Sequence, residues 1–471
     1  MSITIVLSSA IAFIIYLLNI NNVCSSYQAI TILPLIYAQF AIIIYRKLRW
    51  SSSTAKITIY IFLAIQWLRF VVLPAIGSVS GYFSDLGPYV SNKSALVAVW
   101  LLIAELVISS LFCFIILQFS RKRKGEIEKQ SIKIKGVPAI YIVFIFTSII
   151  LFFLTGADAF TFIALKPATS LRLAGEIGDN PIISAIISFG LMFLVILIFY
   201  KSYICYQKTA QKKYVYFALF CALIRLCLIS SEGRLSQVYL VYVFIWILPR
   251  LFPRYRKEII RNVLVIACIV IGLLTIYKVF YVFSYDSYLS AIKNNNFDLY
   301  LLSNQIDSYF YSVKTVARNL EFAMISNVSF FTIIFDFLRN TFGLHYFFKN
   351  TGYTTSELYN LYIYSGTKTS GYLFSVVAYG YLYLGPLLAP LFTCFNMAVA
   401  AWVERKIVYV KYLEVQYIMC IIYARLSFAM FASFAFNWNI ISRTLVICWV
   451  IITFASFPNR VKQNQNLYIC L

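Results

Sequence analysis

An all-α, polytopic membrane helix bundle with about twelve transmembrane helices is the fold class predicted by the sequence, and three observations predict it. The first is composition: 62% of the 471 residues are hydrophobic and only 12% are charged, whereas a soluble globular domain carries about a quarter charged residues. The second is block length. Apolar residues come in runs of roughly twenty, enough for a helix to span a ~30 Å hydrocarbon core, and not in the alternating ~10-residue strands of an outer-membrane barrel. The third is that basic residues concentrate in every second loop.

The apolar blocks run over 3–18, 29–45, 57–76, 95–117, 137–154, 182–200, 214–229, 238–251, 263–283, 372–403, 412–431 and 440–457. The first lacks a basic leader and a small-residue cleavage site, so it is expected to be a retained span. Alternate loops carry Arg46, Lys47 and Arg49; Arg121, Lys122, Arg123 and Lys124; Lys208, Lys212 and Lys213; Arg250, Arg254, Arg256 and Lys257; and Arg405, Lys406 and Lys411. The opposing short loops hold only Lys93, Lys166, Arg172 and Arg234. The positive-inside rule therefore places the basic loops and both termini in the cytoplasm. Block 372–403 contains Gly380, Gly385, Pro386 and Pro390 and is expected to be kinked or broken. It counts as one crossing, because two would put the loop at Arg405 outside.

Three segments follow: nine helices with short loops over 1–283, a large periplasmic loop over 284–371, and three helices with a cytoplasmic tail over 372–471. The loop mixes an aromatic patch at 330–337 with turn signals at Asn294, Asn295, Asn296, Gly343, Gly352 and Gly366. Short amphipathic helices lying on the membrane surface are expected there.

A net charge of +23 raises nucleic acid as a partner, but that would need basic residues gathered on one soluble face. Here they sit between apolar blocks, so no nucleic-acid partner is expected. Most of the ten cysteines fall in apolar blocks or on the cytoplasmic side, with Cys24 alone near the outer side, so no structural disulfide is expected.

Charge inside a span is costly and marks either an ion pair or a functional site. Arg69 lies twelve residues beyond Ile57, about 18 Å along an outward-running helix. Arg225 and Arg425 sit at similar depth on two other outward-running helices, and Arg443 lies near the start of the last inward-running one. Arg234 joins them in the turn Ser231-Glu232-Gly233-Arg234-Leu235-Ser236. Guanidinium groups stay charged and grip phosphate oxygens in pairs, so arginines converging in the outer leaflet suit a lipid-linked diphosphate. Alternatively each pairs with a carboxylate such as Glu105, itself read as a structural counter-ion, or snorkels to the interface.

The only histidine, His345, lies in the large loop within Arg339-Asn340-Thr341-Phe342-Gly343-Leu344-His345-Tyr346. It is a candidate general base, with Arg339 and Arg318 as stabilisers of negative charge. Asp336, Glu357, Asp307 and Asp286 are rival bases, and a purely structural loop histidine is the competing reading. Tyr346, Tyr353, Tyr359, Tyr362 and Tyr364 suit stacking on sugar faces or interfacial packing equally well. A lone histidine, with no outer cysteine pair and no carboxylate cluster, is a poor ligand set, so neither a metal nor another cofactor is expected.

The layout of many spans, the Gly-Arg turn at 231–236, one large late loop with Arg339 to Tyr346, and the small-residue stretch GYLFSVVAYGYLYLG over 371–385 resembles the Wzy family of O-antigen polymerases. The likeness covers most of the chain by architecture but few residues by identity. It lacks the Glu near Tyr379 and the Asn near Tyr383 that the family's post-loop helix leads one to expect. The resemblance implies a metal-independent membrane glycosyltransferase in lipopolysaccharide biosynthesis. Undecaprenyl-diphosphate-linked oligosaccharide would be substrate on the periplasmic face, and a chain-length regulator protein a partner besides membrane lipid. Catalytic roles for His345 and Arg339 are carried over from the related ligases. Alternatives are the flippase that moves the same lipid-linked unit, the O-antigen ligase and a membrane acyltransferase.

Overall fold

The computed structural model describes residues 2–51, 53–119, 132–155, 181–227, 234–283, 298–326, 328–348, 352–369 and 371–469. Among these residues the protein is helical with no strand, and the only β-type pairings are isolated bridges such as Ser375 to Ala432. In chain order the helices are α1 (Ser2–Leu18), α2 (Leu33–Trp50), α3 (Lys56–Trp67), α4 (Leu73–Val79), α5 (Asn92–Phe119), α6 (Pro138–Thr155), α7 (Pro181–Thr209), α8 (Lys213–Cys227), α9 (Arg234–Leu251) and α10 (Arg256–Phe283). There follow α11 (Leu299–Phe310), α12 (Val313–Ile325), α13 (Thr332–Asn340), α14 (His345–Phe348), α15 (Thr355–Ile363), α16 (Val376–Leu388), α17 (Leu391–Ile407), α18 (Leu413–Phe428) and α19 (Phe434–Ile469). Among the described residues each apolar block of the sequence falls wholly or in large part on helix.

Among the described residues, five helical stretches are long and apolar enough to cross a membrane: Ser25–Trp50, Lys56–Val79, Asn92–Phe119, Ala185–Thr209 and Asn437–Pro458. Ile3–Leu18, Pro138–Leu154 and Val238–Leu251 are shorter apolar helices. Block 372–403 is more sharply broken than a kinked span. α16 and α17 meet at 115°, and within the last turn of α16 Gly385 adopts φ 76°, ψ 178°, a backbone region open essentially to glycine alone. Pro386 follows directly, and a proline cannot donate the hydrogen bond that would continue the ladder. The corner is tight, since Gly380 rests on the backbone of Ala389 with no room for a β-carbon.

The chain forms two compact units, each assembled from separate stretches of sequence. The first comprises 1–126, 297–408 and 425–443, and the second 127–296, 409–424 and 444–471. In the first unit the helices of the long loop do not all lie on a surface. α12 packs against α5 and α16 and buries Val313, Val316, Ala317, Asn319 and Leu320, so part of the expected surface loop is core. Asp307 joins it to α11 by accepting from the backbone N–H groups of Lys314 (3.1 Å) and Thr315 (2.7 Å) and from the Thr315 hydroxyl (2.6 Å). These donors are otherwise unsatisfied at a helix start. Burial holds the Asp307 carboxyl above the usual carboxylate range, against the pull of the Thr315 and Lys314 hydrogen bonds.

In the second unit Glu414, at the start of α18, accepts from Gly136 N–H (3.2 Å) and Tyr141 Oη (3.3 Å), and Val137 N–H donates to Ala455 O (2.8 Å). These bonds fix where α6 begins.

Candidate functional site

Arg69 lies in a π-helical turn, Leu68–Val72, and its side chain is fully buried. Nη2 donates to Glu105 Oε2 (2.9 Å) and to Tyr311 O (2.8 Å), and Nη1 donates to Gln66 Oε1 (3.2 Å). The guanidinium also lies 4.1 Å from the Phe431 ring centroid. Glu105 Oε1 in turn accepts from Thr393 Oγ1 (2.6 Å) on α17. A charge so enclosed is stable only when paired, and this one is committed to Glu105, Gln66, the Tyr311 carbonyl and the Phe431 ring. The expectation that Arg69 grips a ligand is therefore revised: it pairs with Glu105 and ties the third and fifth helices to the segment joining α11 and α12.

The residues around His345 form a second cluster, and local sequence explains it. Phe330 and Phe331 just before α13 and Ile334 and Phe335 on it are exposed, while Asp336 and Arg339 of the same helix are buried. Residues three apart share a helix face. An apolar face turned out and a polar face turned in suits a lipid interface rather than water. Asp336 accepts from Thr355 N–H (2.8 Å), Thr355 Oγ1 (2.6 Å) and Tyr379 Oη (2.8 Å), while Thr355 Oγ1 also meets Tyr383 Oη at 2.6 Å. Burial raises the Asp336 carboxyl above the usual range, opposed by those hydrogen bonds. Tyr379 and Tyr383 are the two positions where the family resemblance leads one to expect Glu and Asn, and here their hydroxyls organise a buried aspartate instead.

Arg339 is buried and forms an ion pair with Glu357 (Nη1 to Oε2, 2.7 Å), while Nη1 also donates to the Gly352 carbonyl. Its Nε has no acceptor. Glu357 closes a capping box with Thr354 at the start of α15, a pattern readable as Thr-x-x-Glu in sequence. His345 opens α14 and is half-buried, with Nδ1 at 3.2 Å from the Arg339 carbonyl. A carbonyl only accepts, so Nδ1–H is the donor of this bond, which leaves Nε2 as the acceptor nitrogen of the neutral ring. Asp336 and Glu357 are thus engaged as helix-start acceptors, which leaves His345 Nε2 as the better placed proton acceptor.

This cluster sits against the N-terminal turns of α19. Phe342 N–H donates to Ser442 Oγ (3.0 Å), Ser442 Oγ donates to Asn340 O (3.2 Å), and Trp438 Nε1 donates to Thr341 Oγ1 (2.8 Å). Ser442 is five residues into the candidate span Asn437–Pro458, about 7.5 Å at helical rise. Arg443 follows it and is half-buried, and Arg425 is buried in the last turn of α18. Arg318, half-buried on α12, stands 5.4 Å from the Tyr372 ring centroid. Among the described residues it has no carboxylate within ion-pair distance, and its Nε lacks an acceptor.

Arg225 is buried in the last turn of α8, in the second unit. Arg234 is the first residue of α9; its side chain, Glu232 and Asp286 lie outside the described residues. No group of three or more His, Cys, Asp or Glu residues with metal-binding geometry occurs among the described residues. Compared with known proteins, the chain matches no family model, no curated protein and no solved structure.

Proposed function

We propose that this chain is an O-antigen polymerase of the bacterial inner membrane, joining undecaprenyl-diphosphate-linked repeat units on the periplasmic face without metal or cofactor. In this reading the twelve apolar helices cross the membrane with both termini in the cytoplasm, and the helices of 284–371 belong to the periplasmic side. The observation that carries the proposal is the setting of His345. Its Nδ1–H is fixed by the Arg339 carbonyl, its segment is hydrogen-bonded to the first turns of a candidate span, and exposed phenylalanines flank it. That combination supports a proton acceptor held at head-group depth, where a lipid-linked sugar presents its anomeric carbon.

The reaction follows from those parts. A hydroxyl of the acceptor's terminal sugar attacks the anomeric carbon of the donor chain, and its proton passes to His345 Nε2. The bond from that carbon to the diphosphate oxygen breaks, and undecaprenyl diphosphate leaves with the electron pair. Arg318, Arg425 and Arg443, all in the first unit, stabilise the departing charge; a regulator protein sets how many cycles follow. Arg339, neutralised by Glu357, serves to position His345 rather than to hold phosphate.

A strain lacking the chromosomal copy and complemented with His345→Ala or Arg318→Ala tests this. The expected result is loss of the long lipopolysaccharide ladder with a single repeat unit still capping the core. Full laddering in both variants would remove the assignment, and loss of even the single unit would point to the flippase instead.

A further inference from the structure

A groove of about 660 Å³ lies between α7 and α8 in the second unit, lined by Leu197, Ile198, Lys201, Cys205, Lys213 and Phe217 among others. Its walls are almost wholly apolar, and its volume falls in the roughly 300–1,000 Å³ range of ligand sites. Two cations stand in that lining. Among the described residues neither Lys201 nor Lys213 has a carboxylate within ion-pair distance, whereas neighbouring Lys212 is matched by Glu258 at 3.5 Å. Lys213 instead stands 5.2 Å from the Tyr214 ring centroid. The lining includes Lys213, at the Thr209 to Lys213 turn, in a loop whose basic residues mark the cytoplasmic side in this reading.

We infer that this groove holds an anionic membrane lipid of the inner leaflet, with its acyl chain along Leu197, Ile198 and Phe217 and its phosphate between Lys201 and Lys213. Charge complementarity selects this occupant. An apolar trough alone accepts any acyl chain, but two unmatched ammonium groups at its lining favour a head group that keeps net negative charge over a zwitterionic one. Basic pockets between spans on the cytoplasmic side recognise acidic lipids in this way. The inference stands independently of the polymerase reading.

The test uses full-length protein purified in mild detergent, stripped of lipid, and titrated with phosphatidylglycerol or phosphatidylethanolamine under native mass spectrometry. Wild type is expected to retain phosphatidylglycerol preferentially. Lys201→Gln/Lys213→Gln is expected to lose that preference by roughly tenfold to thirtyfold, at about fivefold per lysine, while Lys208→Gln, outside the lining, keeps it. Equal retention by the double variant overturns the inference. Should that variant fail to fold, wild type alone decides: phosphatidylglycerol is expected to slow maleimide alkylation of Cys205, read on its own peptide. Equal slowing by phosphatidylethanolamine, or slowing by inorganic phosphate alone, also overturns it.

Discussion

Arg69 Nη2 and Glu105 Oε2 stand 2.9 Å apart with neither side chain reaching solvent. Removing one partner strands the other as a buried charge, which costs about 3–5 kcal/mol. Glu105→Ala is expected to lower the thermal stability of the detergent-purified protein by that order. Arg69→Met/Glu105→Leu is expected to recover most of it, since an apolar pair replaces a buried ion pair with little loss. The double variant is also expected to keep its lipopolysaccharide ladder; a stable double variant without a ladder would return Arg69 to the ligand site.

Gly385 kinks α16 three residues before its end, at φ 76°. Alanine there is expected to cost about 1–3 kcal/mol in backbone strain. Gly380→Ala forces a methyl to within 2.2 Å of the Ala389 carbonyl oxygen, and overpacking of this kind costs about 1–3 kcal/mol. Both are read by thermal unfolding, and a Gly380→Ala protein as stable as wild type would contradict the close approach.

Asp336 carries a pH prediction. Burial raises its folded carboxyl above the ordinary range, so the folded state binds that proton more tightly than the unfolded chain does. The stabilisation is complete below the unfolded value and is lost as pH rises through the raised folded value. The difference in melting temperature between wild type and Asp336→Asn is therefore expected to shift against wild type as pH rises over that interval. A difference independent of pH would show the carboxyl ionised throughout.

Glu357 has two tasks that separate by substitution. Glu357→Ala removes the capping box and releases Arg339, and is expected to cost about 1–2 kcal/mol and to shorten the ladder. Thr354→Ala removes the cap alone, at about 1 kcal/mol, and is expected to leave the ladder intact. Equal ladders in both variants would show that the Arg339 pair does not position His345.

The helical class was legible because apolar blocks and loop lysines and arginines are local signals, and among the described residues each block lies wholly or in large part on helix. The partners of Arg69 were harder to see. Glu105 could be named from sequence as its counter-ion, yet the Tyr311 carbonyl, the Phe431 ring and Thr393 come from positions hundreds of residues away. The sharpness of the corner at Gly385 was likewise hidden, since glycine and proline announce a break without its angle. Tyr379 and Tyr383 gave no signal of their own, because phenols abound along the chain and only the fold brings these two to Asp336 and Thr355.

The corner also couples two chemistries. Its leading arm delivers the Tyr379 phenol to Asp336, its trailing arm delivers the Thr393 hydroxyl to Glu105, and Gly380 seated on Ala389 leaves no slack between them. The elbow therefore holds the charged lock and the aspartate on one bent piece of backbone, so a substitution that opens the corner is expected to disturb both contacts together.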